Sequence, residues 1–254
     1  MKPTIFDPSL IIAAASTLQN GTMSFNFGAD AEQVIKNRRQ WLLDLGISID
    51  DATLLRILYG DDVSYDRIVD VAANDKQKGM YNLDETVVAD GFFTQTPGHA
   101  LFLPLADCGG IVIHDPVQKV LGLLHLGRHA TFANLAKKAI EHMQRVYKTQ
   151  PEHVKIWVSP SISGESYLLQ HFEFADHPEW RPFAKKQANG WLVDLQAYNI
   201  AAFQKAGVKP ENIEHADVDT ATHADYPSHH RFATHGEAHK AGRFAVVAML
   251  TEPE

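Results

Sequence analysis

Three short apolar runs stand almost end to end in the middle of this chain, at residues 101–105, 110–114 and 119–125, with four residues between each and the next. A crossover between parallel strands needs a dozen or more residues. If these runs are strands, they therefore turn back directly on one another. A doubly wound parallel sheet is disfavoured, and the expected class is α+β: a mixed α/β sandwich with mixed, largely antiparallel sheets and flanking helices. Asp115-Pro116, between the last two runs, is a turn signal with proline at the second turn position. If the turn centres between Pro116 and Val117, Cys108 falls directly opposite His125. Their side chains then share a face, with Cβ atoms about 5 Å apart.

The flanking elements follow from periodicity. Residues 30–46 read as a helix, with Asp30 as cap, an apolar stripe of Val34, Ile35, Trp41, Leu42 and Leu45, and Gly46 at the C-terminal end. Residues 131–146 read as a second helix capped by Thr131, and 193–206 as a third ending at Gly207. Short apolar runs at 53–58, 67–72, 86–89, 154–158 and 244–250 read as strands. Residues 9–15 resemble a small signal-peptide core. Asp7 and Pro8 argue against that reading, and the segment is expected to be a first buried strand. With no repeat, linker or low-complexity tract, residues 1–254 are expected to form a single domain.

Charge and cysteine content limit the function classes. The 254 residues carry 23 Lys and Arg against 31 Asp and Glu, a net charge of −8, which argues against a nucleic-acid partner. No stretch approaches the roughly 20 apolar residues of a membrane helix, so no membrane partner is expected. Cys108 is the single cysteine. No internal disulfide can form, and a reducing, cytoplasmic setting is expected.

A thiol facing an imidazole has two chemical uses. It can be a nucleophile and its base, or two ligands of zinc or copper. A third reading is a buried free cysteine beside a satisfied core histidine. The glycines at 109 and 110 would leave room at Cys108 for substrate or water. Asp90-Gly91 is a simple turn or an acid near the site. Six histidines between His215 and His239 fit no strong ligand spacing and read as solvated loop residues. His229, His230, Arg231 and Arg243 could hold an anion. There is no Walker loop, no GxGxxG after a strand and no GxSxG.

An ordered set of short motifs resembles the laccase-domain family, also called the YfiH-like, polyphenol oxidase or peptidoglycan-editing-factor family. Ala89-Asp90-Gly91, Leu105-Ala106-Asp107-Cys108 and His125-Leu126-Gly127 are similar to its A-D-A/G, T-A-D-C-x-P and H-A-G-W-R-G segments. Ala15-Ser16-Thr17, Asn26-Phe27-Gly28 and Asn37-Arg38-Arg39 resemble its S-T-R, N-L-G and N-R segments. Ser159-Pro160-Ser161-Ile162, Val193-Asp194-Leu195, Tyr226 to Arg231 and Ala241-Gly242-Arg243 continue the series.

The resemblance implies a sandwich of mixed sheets. It also implies a zinc ion, sometimes reported as copper, held by two histidines and the cysteine. The implied activity is purine nucleoside phosphorolysis on adenosine, inosine or methylthioadenosine, with adenosine deamination. Polyphenol oxidation and peptidoglycan-precursor editing are further assigned roles. Carried over, Cys108 and His125 match the second and third metal ligands and, with Asp90, are the expected catalytic residues. Arg128, Arg231 and Arg243 are the expected phosphate or substrate contacts.

The chain departs from the pattern at the first ligand. Tyr59, in Ile57-Leu58-Tyr59-Gly60, stands where the family has the histidine of Q-V-H-G. Leu18 replaces the arginine of S-T-R, and Arg128-His129-Ala130 replaces W-R-G. The expected function is a zinc-dependent purine nucleoside phosphorylase, with Tyr59 or His129 as substitute ligand. Without metal, His125 would activate Cys108 as a thiolate. The alternatives are an impaired member that binds a ligand or partner, and a Cys108-based hydrolase of a peptidoglycan precursor.

Overall fold

The computed structural model describes residues 1–26, 29–236 and 242–251. Phe27, Gly28, His239 and Ala241, which belong to segments quoted above, lie outside the described residues. The strands are β1 (Ile11–Ala15), β2 (Ala52–Arg56), β3 (Ile68–Asp70), β4 (Val87–Val88), β5 (Gly91–Thr94), β6 (Ala100–Leu105), β7 (Gly109–Asp115), β8 (Val120–Leu126), β9 (Lys155–Val158), β10 (Leu168–Leu169), β11 (Ala184–Gln187), β12 (Gly190–Val193), β13 (Ile213–His215) and β14 (Phe244–Leu250). The helices are α1 (Ala31–Asp44), α2 (Arg128–Phe132), α3 (Leu135–Tyr147), α4 (Leu195–Lys205) and α5 (His229–Ala233).

Two sheets dominate, in the orders β1-β14-β6-β2-β4 and β13-β9-β7-β8-β5-β3. Both mix parallel and antiparallel pairs, with β2 parallel to β6 and β7 antiparallel to β8. Side-chain alternation explains how they stack. Phe244, Val246, Ala248 and Leu250 of β14 point inward, against Val112, Leu121, Leu123 and Trp157 of the second sheet. Ala245, Val247 and Met249 point outward, onto Trp41 and Leu42 of α1. On the other side, Ile111, Ile113, Leu124 and Leu126 face Ala136, Ala139, Ile140 and Met143 of α3. The result is four layers, helix on sheet on sheet on helix. A third, small sheet, β10-β12-β11, packs its own aromatic cluster of Phe172, Trp180 and Trp191 against Leu195 and Tyr198 of α4.

α1 forms where the sequence predicts it. The Asp30 carboxylate accepts from Glu32 N at 3.0 Å, and Gly46 takes φ +76° just past the end. The expected helix over 131–146 is instead two. Asn134, at φ +58°, breaks it between α2 and α3, a conformation asparagine tolerates better than most residues. Thr131 is therefore inside α2, and its hydroxyl accepts from Asn199 Nδ2 at 2.9 Å, tying α2 to α4. The third helix starts later than expected because Val193 ends β12 and Asp194 caps α4, accepting from Ala197 N at 2.8 Å.

The central hairpin is displaced from the expected register. Asp115 pairs with Val120 and Gly110 with His125, so Cys108 is not directly opposite His125. The loop holds four residues rather than two. The Asp115 carboxylate accepts from Val117 N and Gln118 N, and Lys119 closes the loop at φ +52°. A displacement of two residues preserves the face on which each side chain lies. His125 still points between the sheets, at the end of β8.

Candidate active site

The two main sheets end at a cavity of about 800 Å³, within the usual range for small-molecule sites. Tyr59, Cys108, His125, Arg128, His129 and Arg243 line it. Cys108 lies in the turn between β6 and β7, shaped by Asp107 at φ +73°. Asp107 stitches that turn to distant chain. Its Oδ1 accepts from Thr220 Oγ1 at 2.7 Å, its Oδ2 from His230 N at 2.7 Å, and its carbonyl from Ile162 N at 2.8 Å.

Cys108 and His125 meet at Gly127. A Cβ built on Gly127 would lie 2.7 Å from Cys108 Sγ, 3.0 Å from His125 Cε1 and 3.3 Å from His125 Nε2. The absence of a side chain there is what lets thiol and imidazole share one corner. Burial pushes the Cys108 thiol up to about 12, and neighbouring Asp107 adds to it. Burial pushes the His125 imidazole down to about 4, helped by the charges of His129 and Arg243. At neutral pH the corner is therefore a thiol and a neutral imidazole, not an ion pair.

The space beside Gly109 and Gly110 is filled by protein, and the opening at Cys108 lies on its cavity side. A Cβ on Gly109 would meet Gln196 Oε1 at 2.6 Å, and one on Gly110 would meet Leu105 and Val246 at 2.9 Å. These glycines admit other side chains to the core, not substrate to the thiol.

The remaining expected residues divide. Arg243 lines the cavity, and its backbone is held by Thr22 Oγ1 at 3.1 Å. Arg128 lines it from the exposed start of α2, with Nη2 3.3 Å from His129 Nε2. Asp90 is fully buried and is not part of the lining. It accepts from Arg67 N at 3.0 Å, and its carbonyl accepts from His125 N at 2.9 Å, so it stands behind the histidine. Burial raises its carboxyl above the usual range. Arg231 does not reach the cavity. Its guanidinium donates to the carbonyls of Tyr226 at 2.8 Å and Ala221 at 3.3 Å, bracing the loop before α5.

His229 and His230, read from sequence as solvated loop residues and as candidate anion contacts, line the cavity from α5. Tyr65 and Tyr167 also line it and carry no signal in the sequence. Each stands in a loop a few residues past a quoted segment, Tyr65 after Gly60 and Tyr167 after Ile162, but in neither segment itself. Burial pushes the Tyr167 hydroxyl up to about 12.

Zinc bound by a protein takes three or four side-chain ligands. Cys108 and His125 are two. Among the described residues, no group of three or more His, Cys, Asp or Glu is placed to hold a metal ion. The residue at the expected first-ligand position, Tyr59, keeps most of its ring open to solvent, but cavity-wall atoms around its hydroxyl and then Cys108 push that group up from an ordinary value near 10, so it is a neutral phenol. The residues present do not fit a three-ligand zinc centre. No helix among the described residues is long and apolar enough to cross a membrane.

Residues 14–251 match the family described as multi-copper polyphenol oxidoreductase laccase. A purine nucleoside phosphorylase of Deinococcus radiodurans is 26% identical over 266 residues, spanning 99% of this chain and 94% of that protein. A purine nucleoside phosphorylase of Bacteroides thetaiotaomicron is 24% identical over 208 residues, spanning 78% of this chain and 74% of that one. Among solved structures, YlmD from Geobacillus stearothermophilus superposes with a TM-score of 0.85 at 22% identity, covering 97% of this chain and 94% of that one. Bacillus licheniformis YfiH superposes with a TM-score of 0.82 at 21% identity, covering 98% of both. These likenesses in structure bear on the fold.

Proposed function

The chain belongs to the laccase-domain family, the one described as multi-copper polyphenol oxidoreductase laccase, and from that premise we propose that its cavity binds a purine nucleoside with phosphate and cleaves the nucleoside by phosphorolysis. The observation that carries this reading is the pairing, in one cavity, of cationic Arg243 and Arg128 with the uncharged Cys108–His125 corner. Two guanidiniums can take a phosphate by charge-assisted hydrogen bonds. A neutral thiol and imidazole can hydrogen-bond a ribose hydroxyl or a ring nitrogen without expelling an uncharged substrate. The names of the relatives support the same substrate class.

In the reaction, a phosphate oxygen bonds to C1′ as the C1′–N9 bond breaks, and the purine leaves with the electron pair and takes up a proton. What these residues supply is orientation of phosphate against C1′ and neutralisation of its charge. No step is drawn through zinc or copper, because the donors do not make a three-ligand set. Hydrolysis by a Cys108 thiolate fits less well, since both members of the pair are neutral at pH 7.

A second reading, nucleoside binding without turnover, is favoured by one observation, the tyrosine at the first-ligand position. A single assay separates the two. Purified protein is incubated with adenosine, inosine or methylthioadenosine, with and without phosphate, and free base is followed by chromatography. Phosphate-dependent base release that falls at least a hundredfold in Arg243→Ala supports phosphorolysis. Saturable nucleoside binding with no base release gives the second reading. Neither binding nor release overturns both.

A further inference from the structure

Three rings gather at the cavity wall beside the Cys108–His125 corner. Tyr59 and Tyr65 come from the β2–β3 loop and His129 from α2. Tyr65 and His129 are stacked, centroids 4.5 Å apart and planes 18° from parallel. Tyr59 stands 6.3 Å from Tyr65 and 6.5 Å from His129, and meets His125 edge-on at 6.5 Å and 87°.

The loop that presents these rings is held in place by several independent contacts. The Tyr65 hydroxyl donates to Gly60 O and accepts from Gly60 N, both at 3.0 Å, which closes the loop immediately after Tyr59. Lys138 of α3 pairs with Asp66 at 2.5 Å. The stack on His129 ties the loop to α2. Yet Tyr59 itself is 64% exposed, while its ring lines the cavity. A tyrosine recruited for packing would be buried. This one is held by its neighbours with its ring uncovered, which is the arrangement of a preorganised stacking surface.

We propose that Tyr59, backed by the Tyr65–His129 stack, is the subsite for the flat heteroaromatic base of the ligand, with the sugar directed to the Cys108–His125 corner. This rests on the nucleoside reading above and adds to it the position and the residue that select the base. The ring faces offer area rather than a hydrogen-bond code. The subsite therefore favours a two-ring purine over a one-ring pyrimidine and discriminates weakly among purines.

Isothermal titration calorimetry tests this on the full chain with three probes: adenosine, uridine and base-free ribose 1-phosphate. The variants are Tyr59→Leu, Tyr59→Trp and Tyr65→Leu, each checked for an unchanged melting temperature. The expected result is that adenosine binds at least about tenfold more tightly than uridine, and that Tyr59→Leu weakens adenosine by about tenfold or more. Ribose 1-phosphate stays within twofold, and Tyr59→Trp restores adenosine. If Tyr65→Leu alone melts early, the two Tyr59 variants still decide the matter, because that ring is exposed. Equal adenosine affinity in wild type and Tyr59→Leu overturns the subsite and leaves the nucleoside reading standing. Equal loss of both ligands assigns Tyr59 a general structural role and also overturns it. Absence of adenosine binding to the wild type overturns the subsite and the nucleoside reading together.

Discussion

Cys108 Sγ and the His125 imidazole converge on the Cα of Gly127, so that a single added methyl would lie 2.7 Å from the sulfur and 3.0 Å from the ring. Both distances are shorter than ordinary carbon contacts, so thiol or ring must give way. Gly127 itself has φ −88°, which alanine adopts freely. The Gly127→Ala variant should therefore fold, with a melting temperature lowered by a few degrees, while thiol and imidazole are forced apart. Nucleoside binding or turnover should fall at least tenfold. A variant with unchanged affinity and rate would show that the proximity of these two groups serves no substrate.

Tyr59 bears on metal content. The family resemblance puts a histidine at this position, and the ring already stands 6.5 Å from His125. After zinc loading and desalting, the wild type should retain well under one equivalent by elemental analysis. Tyr59→His should approach one equivalent, and a further Cys108→Ala change should abolish it. One full equivalent in the wild type would mean that a third donor is recruited from elsewhere.

His99 should make the fold acid-sensitive. It is fully buried, and Thr53 Oγ1, which donates to Asp75 O at 2.6 Å, must accept from its Nε2 at 2.7 Å. That leaves Nδ1 unprotonated and without a hydrogen-bond partner. Burial pushes the ring down to about 4 from an ordinary 6.5. The unfolded chain then takes the proton first, so this stabilisation is complete above pH 6.5 and is lost as pH falls toward 4. The loss reaches about 3 kcal/mol at its limit. His114, also pushed down to about 4 by burial, acts in the same direction. Urea melts at pH 7 and pH 4.5 should show the decline, and His99→Gln should flatten it. Equal slopes for variant and wild type would assign the acid sensitivity to other groups.

Much of this architecture is legible in the sequence, and the exceptions have physical causes. α1 declares itself through Asp30, its apolar stripe and Gly46. The antiparallel pairing of β7 with β8 follows from the brevity of their connection, whereas the short link from β6 to β7 passes from one sheet to the other, so those two runs do not pair. Register does not, because it depends on how Asp115 bonds to Val117 and Gln118, which a Pro-containing turn leaves open. The break at Asn134 is hidden because asparagine is an acceptable helix residue until tertiary packing selects its left-handed state. The short strands β10, β11 and β13 lack the length to show alternation.

The site is legible in part for a similar reason. Cys108, His125, Arg128 and Arg243 belong to ordered motifs, and all four reach the cavity. Arg231 belongs to one too, but bonds to carbonyls. Arg38 borders the cavity as well, yet it is fully buried and donates to the carbonyls of Met23, Gly79 and Met80, while Arg243 donates to Gly242 O. Local sequence does not say whether an arginine holds a ligand or the chain itself. Tyr65 and Tyr167 enter from loops outside the motifs, whose placement only the assembled layers decide.

Asp107 carries a final consequence. One carboxylate and one carbonyl there receive bonds from Thr220, His230 and Ile162, which come from three separate stretches of chain. The frame around the cavity thus hangs from a keystone that touches none of the rings at the Tyr59 wall. The bonds that hold this frame are separate from the contacts that hold the Tyr59 wall. A substitution at position 59 therefore leaves the Asp107 bonds in place, and the opening that this wall borders keeps its frame whatever side chain stands there.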